Sequence, residues 1–447
     1  MSLALCIVAA FVTYYLGRRS LVAGLLSLFG IGYAYGILRA NLQSTAIYFL
    51  FDSAVVGLYA AQLSAMKQQF LSPDGQRLKH WVLLLILWPI ILFFVPLQDP
   101  LIQVVGLRGN IFFLPMILLG ARLTREKLYP LALGLAALNI PAFILAIAEY
   151  TLGIERFFPR NVLTDLIYNS NDVGALGAYR IPSSFPNAHA YAGTMVITLP
   201  LLLGAWVQRH RRRSHQFLLM GGIISAVLGV FFSAVRSHFI VMAVVLGIFI
   251  LSASVRPGLK LVFTMGLIAV GVLVAQQDRL QRFATLRDTH YVERRVQSSV
   301  NASFLDALQQ FPFGNGLGGG GTSIPAFLQG RLHAPLLIEN EYGRALLETG
   351  IIGLALWIAF LLWFVTRRNY IGGREPWAVG RRLAWVACVC CFASGFVGVG
   401  MLLSIPQSTM FLMCLGWVAI PQNDQPAFQP MPLQRARFIA PRIKEFA

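Results

Sequence analysis

The stretch IENEYGRALLETGIIGLALW, residues 338–357, puts three carboxylates at the head of a long apolar run. Acids are costly in a membrane helix and are kept there for a partner or a task. On a helix turning about 100° per residue, Glu341, Arg344 and Glu348 share one face, with Arg344 and Glu348 at i, i+4. A carboxylate–arginine–carboxylate group of this kind can satisfy itself, so these residues read as a structural ion set. Glu339 falls on the opposite face, which continues through Gly343, Leu346, Gly350 and Gly353. Small residues there would let a neighbouring helix approach closely. Glu339 also stands where the helix dipole favours a carboxylate. The bland reading is a simple N-terminal charge. The sharper one is a catalytic carboxylate facing an inter-helix cleft, placed to take a proton from an incoming nucleophile.

Arginine is the second informative type. The segment 276–338 carries arginines at 279, 282, 287, 294, 295 and 331 and acids at 278, 288, 293 and 306. The segment 151–187 adds Arg156, Arg160 and Arg180, and neither segment contains a lysine. Arginine's planar fork matches phosphate and carboxylate oxygens two at a time. An all-arginine basic set therefore fits an acidic or phosphorylated ligand, against the plainer reading of a solvated subdomain. Two positions stand out. Arg180, in AYRIPSSFPNAHAYAGTMV, precedes a helix expected to begin near Asn187. Arg236, in FFSAVRSHFIV, sits between two apolar runs with almost no loop. Both are expected at one membrane depth, where they can hold a diphosphate whose lipid tail enters the bilayer. Interface anchoring and snorkelling are their structural alternatives. Arg108, in VVGLRGNIFFLP, interrupts an apolar run and either pairs with an acid or reaches the same ligand. His189, His238 and His333 are further titratable candidates. GNGLGGGGTS (314–323) lacks the Lys-Ser/Thr of a phosphate loop. It reads as a flexible loop or, functionally, a lid.

These residues sit in a chain of 447 residues that is 57% hydrophobic and only 12% charged, with mean hydropathy +0.67. Soluble domains carry about 25% charged residues, so an all-α polytopic membrane protein is expected. The first apolar run lacks a basic leader and a cleavage site and reads as a retained helix. Spanning-length runs fall at about 2–17, 20–38, 46–66, 80–97, 99–121, 128–150, 188–207, 216–234, 238–255, 259–275, 342–366, 383–403 and 405–420. This predicts 12 or 13 transmembrane helices in a single transmembrane domain, 1–447, with no internal repeat.

The net charge of +18 is concentrated between runs, at Lys67/Arg77/Lys79, 122–127, 208–215, 256–260, 367–382 and the 421–447 tail. All of these fall on one side, which the charge rule makes cytoplasmic, so nucleic acid is not implied as a partner. The other, periplasmic side then holds 151–187 and the large loop 276–341. The five cysteines lie in apolar runs and read as small apolar packers without disulfides. No acid–histidine cluster has metal-ligand spacing, so no metal and no cofactor are expected.

Three places together carry a family resemblance. RIPSSFPNAHAYAGTMV resembles an Arg-x-x-Gly-x-Phe-x-Asn-Pro-Asn pattern before a helix, through Arg180, Phe185 and Asn187. FFSAVRSHFIVMAVVLGI resembles a Thr-x-Ser-Arg helix start, through Arg236. FLDALQQFPFGNGLGGGG followed by ENEYGRALLETGIIGL resembles a large periplasmic loop and the helix after it. Over about residues 170–365 the chain thus resembles the bacterial O-antigen ligase and polymerase superfamily, GT-C-type transferases of lipid-linked glycans in the inner membrane.

The resemblance implies an undecaprenyl-diphosphate-linked glycan donor, no metal, and Arg180 and Arg236 as diphosphate ligands. Asn187, Asn340, Arg295 and His333 join them as substrate-binding candidates. The ligases carry His-Asn where this chain has Glu339-Asn340, so the likeness leans to polymerases. The expected activity is transfer of a glycan to a sugar hydroxyl on the periplasmic face, polymerising O-antigen or exopolysaccharide repeats. The acceptor is then a lipid-linked glycan, with membrane lipids and a chain-length regulator as further partners. Alternatives are ligation to lipid A–core, transfer to protein, or transport of a polyprenyl-linked or anionic substrate. Direct displacement would invert the anomeric carbon. A retaining mechanism needs two carboxylates about 5 Å apart, and the helical wheel separates these acids.

Overall fold

A computed structural model describes residues 2–68, 72–169, 178–208, 212–252, 289–297, 303–334, 338, 340–368, 377–398 and 400–421, with isolated positions between 258 and 272. The described residues are helical, with no strand among them. In chain order the helices are α1 (Ser2–Arg19), α2 (Leu21–Leu42), α3 (Leu50–Gln68), α4 (Pro73–Phe93), α5 (Pro100–Ile111), α6 (Pro115–Gly120), α7 (Arg125–Leu152) and α8 (Asp165–Tyr168). They continue as α9 (Ala188–Trp206), α10 (Arg213–Ser233), α11 (Arg236–Leu251), α12 (Thr289–Val296), α13 (Ser303–Gln310), α14 (Glu341–Thr366), α15 (Ala378–Ser394) and α16 (Gln407–Ala419).

Among the described residues, eight helical stretches are long and apolar enough to cross a membrane, and α11 and α16 are apolar but shorter. The chain is therefore a polytopic helical membrane protein. The run expected at 259–275 lies mostly outside the described residues, as do most of the loop 276–302 and the tail 422–447. Two expected runs are interrupted. Turns at 112–114 separate α5 from α6, and 383–403 ends as helix at Ser394 before a stretch of turns. Glycines at 395, 398 and 400 and Pro406 disfavour continuation of that helix.

Local chemistry starts the helices. Ser72 and Asp99 cap α4 and α5 just ahead of prolines at the first helical position. Asn187 Oδ1 accepts from Ala190 N at 2.9 Å to start α9, and Asn340 caps α14 through Gly343 N. At the far end of α16, the buried Arg381 guanidinium donates to the Val418 and Ile420 carbonyls at 3.0 and 2.6 Å, filling acceptors that a helix end leaves open.

The axis of the bundle is α9. It packs against α7, α10, α11, α15 and α16 and is buried along nearly its whole length. A helix apolar on all sides needs an apolar surrounding, here supplied by other helices. By contrast, α1 turns Leu3, Ile7, Val8 and Phe11 outward, as a lipid-facing helix does. The basic residues gather where α1, α3, α6 and α14 end and α4, α7 and α10 begin. There Arg122 donates to Gln62 at 2.7 Å and Arg367 to Asp74 at 2.9 Å.

The glycine-rich segment 314–323 is neither a loose loop nor a lid. Gly316 to Gly320 are buried between α5 and α14. A Cβ on Gly106 of α5 would stand 2.1 Å from Gly318 N, so two backbones touch directly. The small-residue face of α14 admits this segment at Gly350, while Gly353 faces Trp88 of α4 and Leu346 packs with Ala307 of α13. At Gly350, α14 leaves the helical conformation (φ 68°, ψ −178°), and a Cβ there would meet Phe313 O at 2.6 Å. The freed backbone groups are taken up by neighbours. Leu347 O accepts from Asn315 N at 2.6 Å, Ile351 N donates to Pro312 O at 3.3 Å, and Thr349 O accepts from Trp88 Nε1 at 2.9 Å. At membrane depth, irregular backbone persists only when satisfied by protein in this manner.

Candidate active site

A cleft of about 1470 Å³ opens at the end opposite the basic one. Its walls come from the end of α2, the start of α3, α5, residues 162–169, the starts of α9 and α11, residues 322–329 and the turns after α15. The turns after α15 supply Gly395, Gly400 and Ser404. Helix α14 reaches this wall through Glu341, whose N–H donates to Gly395 O at 2.8 Å and whose Oε2 accepts from Gly400 N at 2.8 Å.

One corner of the cleft is lined by Asn187, His189 and His238, and Arg180 and Arg236 adjoin it through His189 and the start of α11 without being among its lining residues. Arg180 donates from Nη1 to His189 Nε2 at 2.9 Å. Arginine has no acceptor atom, so His189 Nε2 carries no proton while this bond holds. The His189 ring faces that of His238 edge-on, with centroids 6.1 Å apart. His238 Nε2 lies 3.3 Å from the Gln407 amide nitrogen, and its Nδ1 lies 3.4 Å from Ser237 Oγ. Arg236 opens α11, two residues before His238, and is partly exposed. Asn187 also lines the cleft, with its Oδ1 engaged as the α9 cap.

The other singled-out residues lie elsewhere. Asn340 is 2% exposed and serves as the α14 cap rather than a cleft contact. His333 is exposed but is not among the described residues lining the cleft. Its backbone is held by Gln98, which accepts from His333 N at 3.0 Å and donates to His333 O at 3.1 Å. Glu339 lies outside the described residues. Arg295 belongs to α12, and its side chain lies outside what is described.

The ion set of α14 is buried. Arg344 donates to Glu341 Oε1 at 2.9 and 2.7 Å and to Glu348 Oε2 at 2.8 Å, with all three residues buried. Asn110 of α5 adds a 2.7 Å bond to Glu348 Oε2. This group ties α14 to α5 and, through Glu341, to the turns lining the cleft.

Two acids that sequence reading passed over shape the site. Asp52 lines the cleft and takes a two-point ion pair from Arg108, at 2.9 Å from Nε and 2.5 Å from Nη2. Arg108 is thereby committed to an acid on α3. Glu149, 1% exposed at the end of α7, accepts from Ser183 N at 2.9 Å. It anchors the segment between Arg180 and Asn187, where Ser183 holds a left-handed backbone (φ 54°). A lone acid inside an apolar run was the available signal for both.

All five cysteines are free thiols. Among the described residues, no group of three or more His, Cys, Asp or Glu could hold a metal ion. No protein-family model matches the chain, and no curated protein is similar to it.

Proposed function

We propose that the chain is an inner-membrane glycosyltransferase. It moves a glycan from an undecaprenyl-diphosphate donor to a sugar hydroxyl on the periplasmic face, most simply to extend a lipid-linked O-antigen or exopolysaccharide repeat. The observation that carries the reading is the Arg180–His189–His238 corner in a large cleft at the less basic end of the bundle. Arg180 and Arg236 bind the diphosphate and stabilise the charge that develops as it leaves. Phe49, Val56, Leu101 and Val104 edge the same cleft, each about half exposed. They offer a polyprenyl tail an apolar path toward lipid.

In the transfer, the acceptor oxygen bonds to the anomeric carbon as the carbon–oxygen bond to the diphosphate breaks. The leaving diphosphate keeps the electron pair. The acceptor proton passes to a base, for which Glu339 is proposed and His238 is the nearest described alternative. The single displacement inverts the anomeric centre.

One feature favours a transporter instead, since broken membrane helices mark substrate sites there. Here the break at Gly350 is packed with Phe313 and Gly314, and the preceding Thr349 carbonyl accepts from Trp88 Nε1. None of these residues is among the described residues lining the cleft.

The test uses purified protein and lipid-linked donor, following release of undecaprenyl diphosphate together with lengthened glycan. Arg180→Ala and Arg236→Ala should each abolish both signals in protein that still folds, and Arg→Lys should restore little. Near-normal turnover in both lysine variants would reject the diphosphate role. The surface glycan of a deletion strain separates the acceptors. A single repeat on lipid A–core marks a polymerase, and loss of all attached glycan marks a ligase.

A further inference from the structure

The cleft wall also carries an aromatic pair that the transfer chemistry does not use. Phe327, on the short 3-10 turn Ala326–Arg331, is 58% exposed. Tyr48 meets it edge-on, with ring centroids 5.8 Å apart. The Arg39 guanidinium lies 4.9 Å from the Tyr48 ring centre and covers one of its faces. Asp165, Asn169 and Gln329 also line the cleft, with Gln329 on the same turn as Phe327. Asn169 donates to Asp165 Oδ2 at 2.8 Å, which links the two side chains.

We infer that this aromatic wall is a saccharide subsite, binding one sugar ring of a glycan by stacking on Phe327 and Tyr48. An aromatic side chain left open in a cleft is a surface awaiting an apolar face. A pyranose ring supplies such a face through its C–H groups, and its hydroxyls project outward at the rim. The polar side chains of the cleft wall suit those hydroxyls. Arg39 only donates, Asp165 only accepts when ionised, and Asn169 and Gln329 do both. A polyprenyl tail would leave these groups facing hydrocarbon, whereas Phe49, Val56, Leu101 and Val104 offer it an edge without such groups. The subsite rests on the transferase reading for its role, which is to hold the acceptor glycan while the donor occupies the histidine corner.

The experiment probes binding apart from transfer. The probe is the free oligosaccharide released by mild acid from the host's own diphosphate-linked glycan pool. Saturation-transfer difference NMR on the full chain in nanodiscs reads its contact with aromatic protons. It should bind the unaltered protein. Phe327→Ala and Tyr48→Ala should each weaken binding at least about tenfold, and Tyr48→Phe should retain it. Phe327 is exposed, so its alanine variant should keep the melting temperature. If Tyr48→Ala unfolds, Phe327→Ala and Tyr48→Phe decide. Failure of the probe to bind, or undiminished binding to Phe327→Ala, overturns the subsite. Binding that depends on these rings in a protein that performs no transfer keeps the subsite and removes the transferase reading. Transfer with ring-independent binding does the reverse.

Discussion

Arg344 and Glu348 are joined at 2.8 Å inside a single helix, with side chains 1% and 0% exposed. Glu341 sits 2.7 Å from the same guanidinium, so one positive charge serves two carboxylates. Removing the arginine would strand two carboxylates. Arg344→Ala is expected to cost about 3–5 kcal/mol or to prevent accumulation in the membrane. Glu341→Gln and Glu348→Gln should each lower stability by less, because an amide still accepts a bond. Thermal unfolding of the purified variants checks the order. Equal melting temperatures for all three would show that the ion set does not brace the bundle.

The break in α14 makes a second prediction. Gly350→Ala combines a left-handed backbone with a Cβ 2.6 Å from Phe313 O, so the 311–315 segment must shift. Trp88→Phe leaves the Thr349 carbonyl without its donor, at a cost of about 1 kcal/mol. Both variants should show faster amide exchange at Ile351, whose N–H donates to Pro312 O. Unchanged exchange there would contradict the docking of that segment.

The Asp52–Arg108 pair is testable by a double-mutant cycle. Asp52→Asn and Arg108→Gln should each destabilise, and the double variant should lose less than their sum. A coupling of about 1–3 kcal/mol is the expected size for residues sharing one ion pair. Strict additivity in the melting data would mean that the two side chains are not paired in the folded protein.

The identity of the base is read by comparing two substitutions. Glu339→Gln should lower turnover by roughly 10²–10⁴-fold if Glu339 takes the acceptor proton, with donor binding little changed. His238→Gln should then reduce turnover only modestly. The reverse pattern in steady-state rates moves the base to His238. A large loss in both would point to a shared proton route.

The parts of this site readable from sequence are those set by neighbours along the chain. Glu341, Arg344 and Glu348 are visible because a helix brings i, i+3 and i+4 together. The helix start at Asn187 is visible as a polar residue opening an apolar run, whereas Asn340, expected as a substrate contact, instead caps α14. What stays hidden depends on distant chain. Arg108 finds Asp52 across 56 residues, and Trp88 finds the Thr349 carbonyl across 261. Spacing along one helix carries no information on either. The glycines of 314–323 invited a reading of freedom because composition cannot distinguish a slack loop from two backbones pressed together. On α14, the helical wheel assumed unbroken helix through Gly350, and the wheel stops being a valid map at that residue.

The enclosure of α9 has a consequence for how the protein is made. Its neighbours α10, α11, α15 and α16 all follow it in the chain. While the ribosome is still extending, α9 rests in lipid with only α7 among its main partners available. Its uniformly apolar surface makes that wait tolerable, since lipid tails are as apolar as the side chains that later replace them. Closure of the bundle therefore waits for its last-made helices, and the chain should show a late, abrupt gain in protease resistance as α16 leaves the translocon.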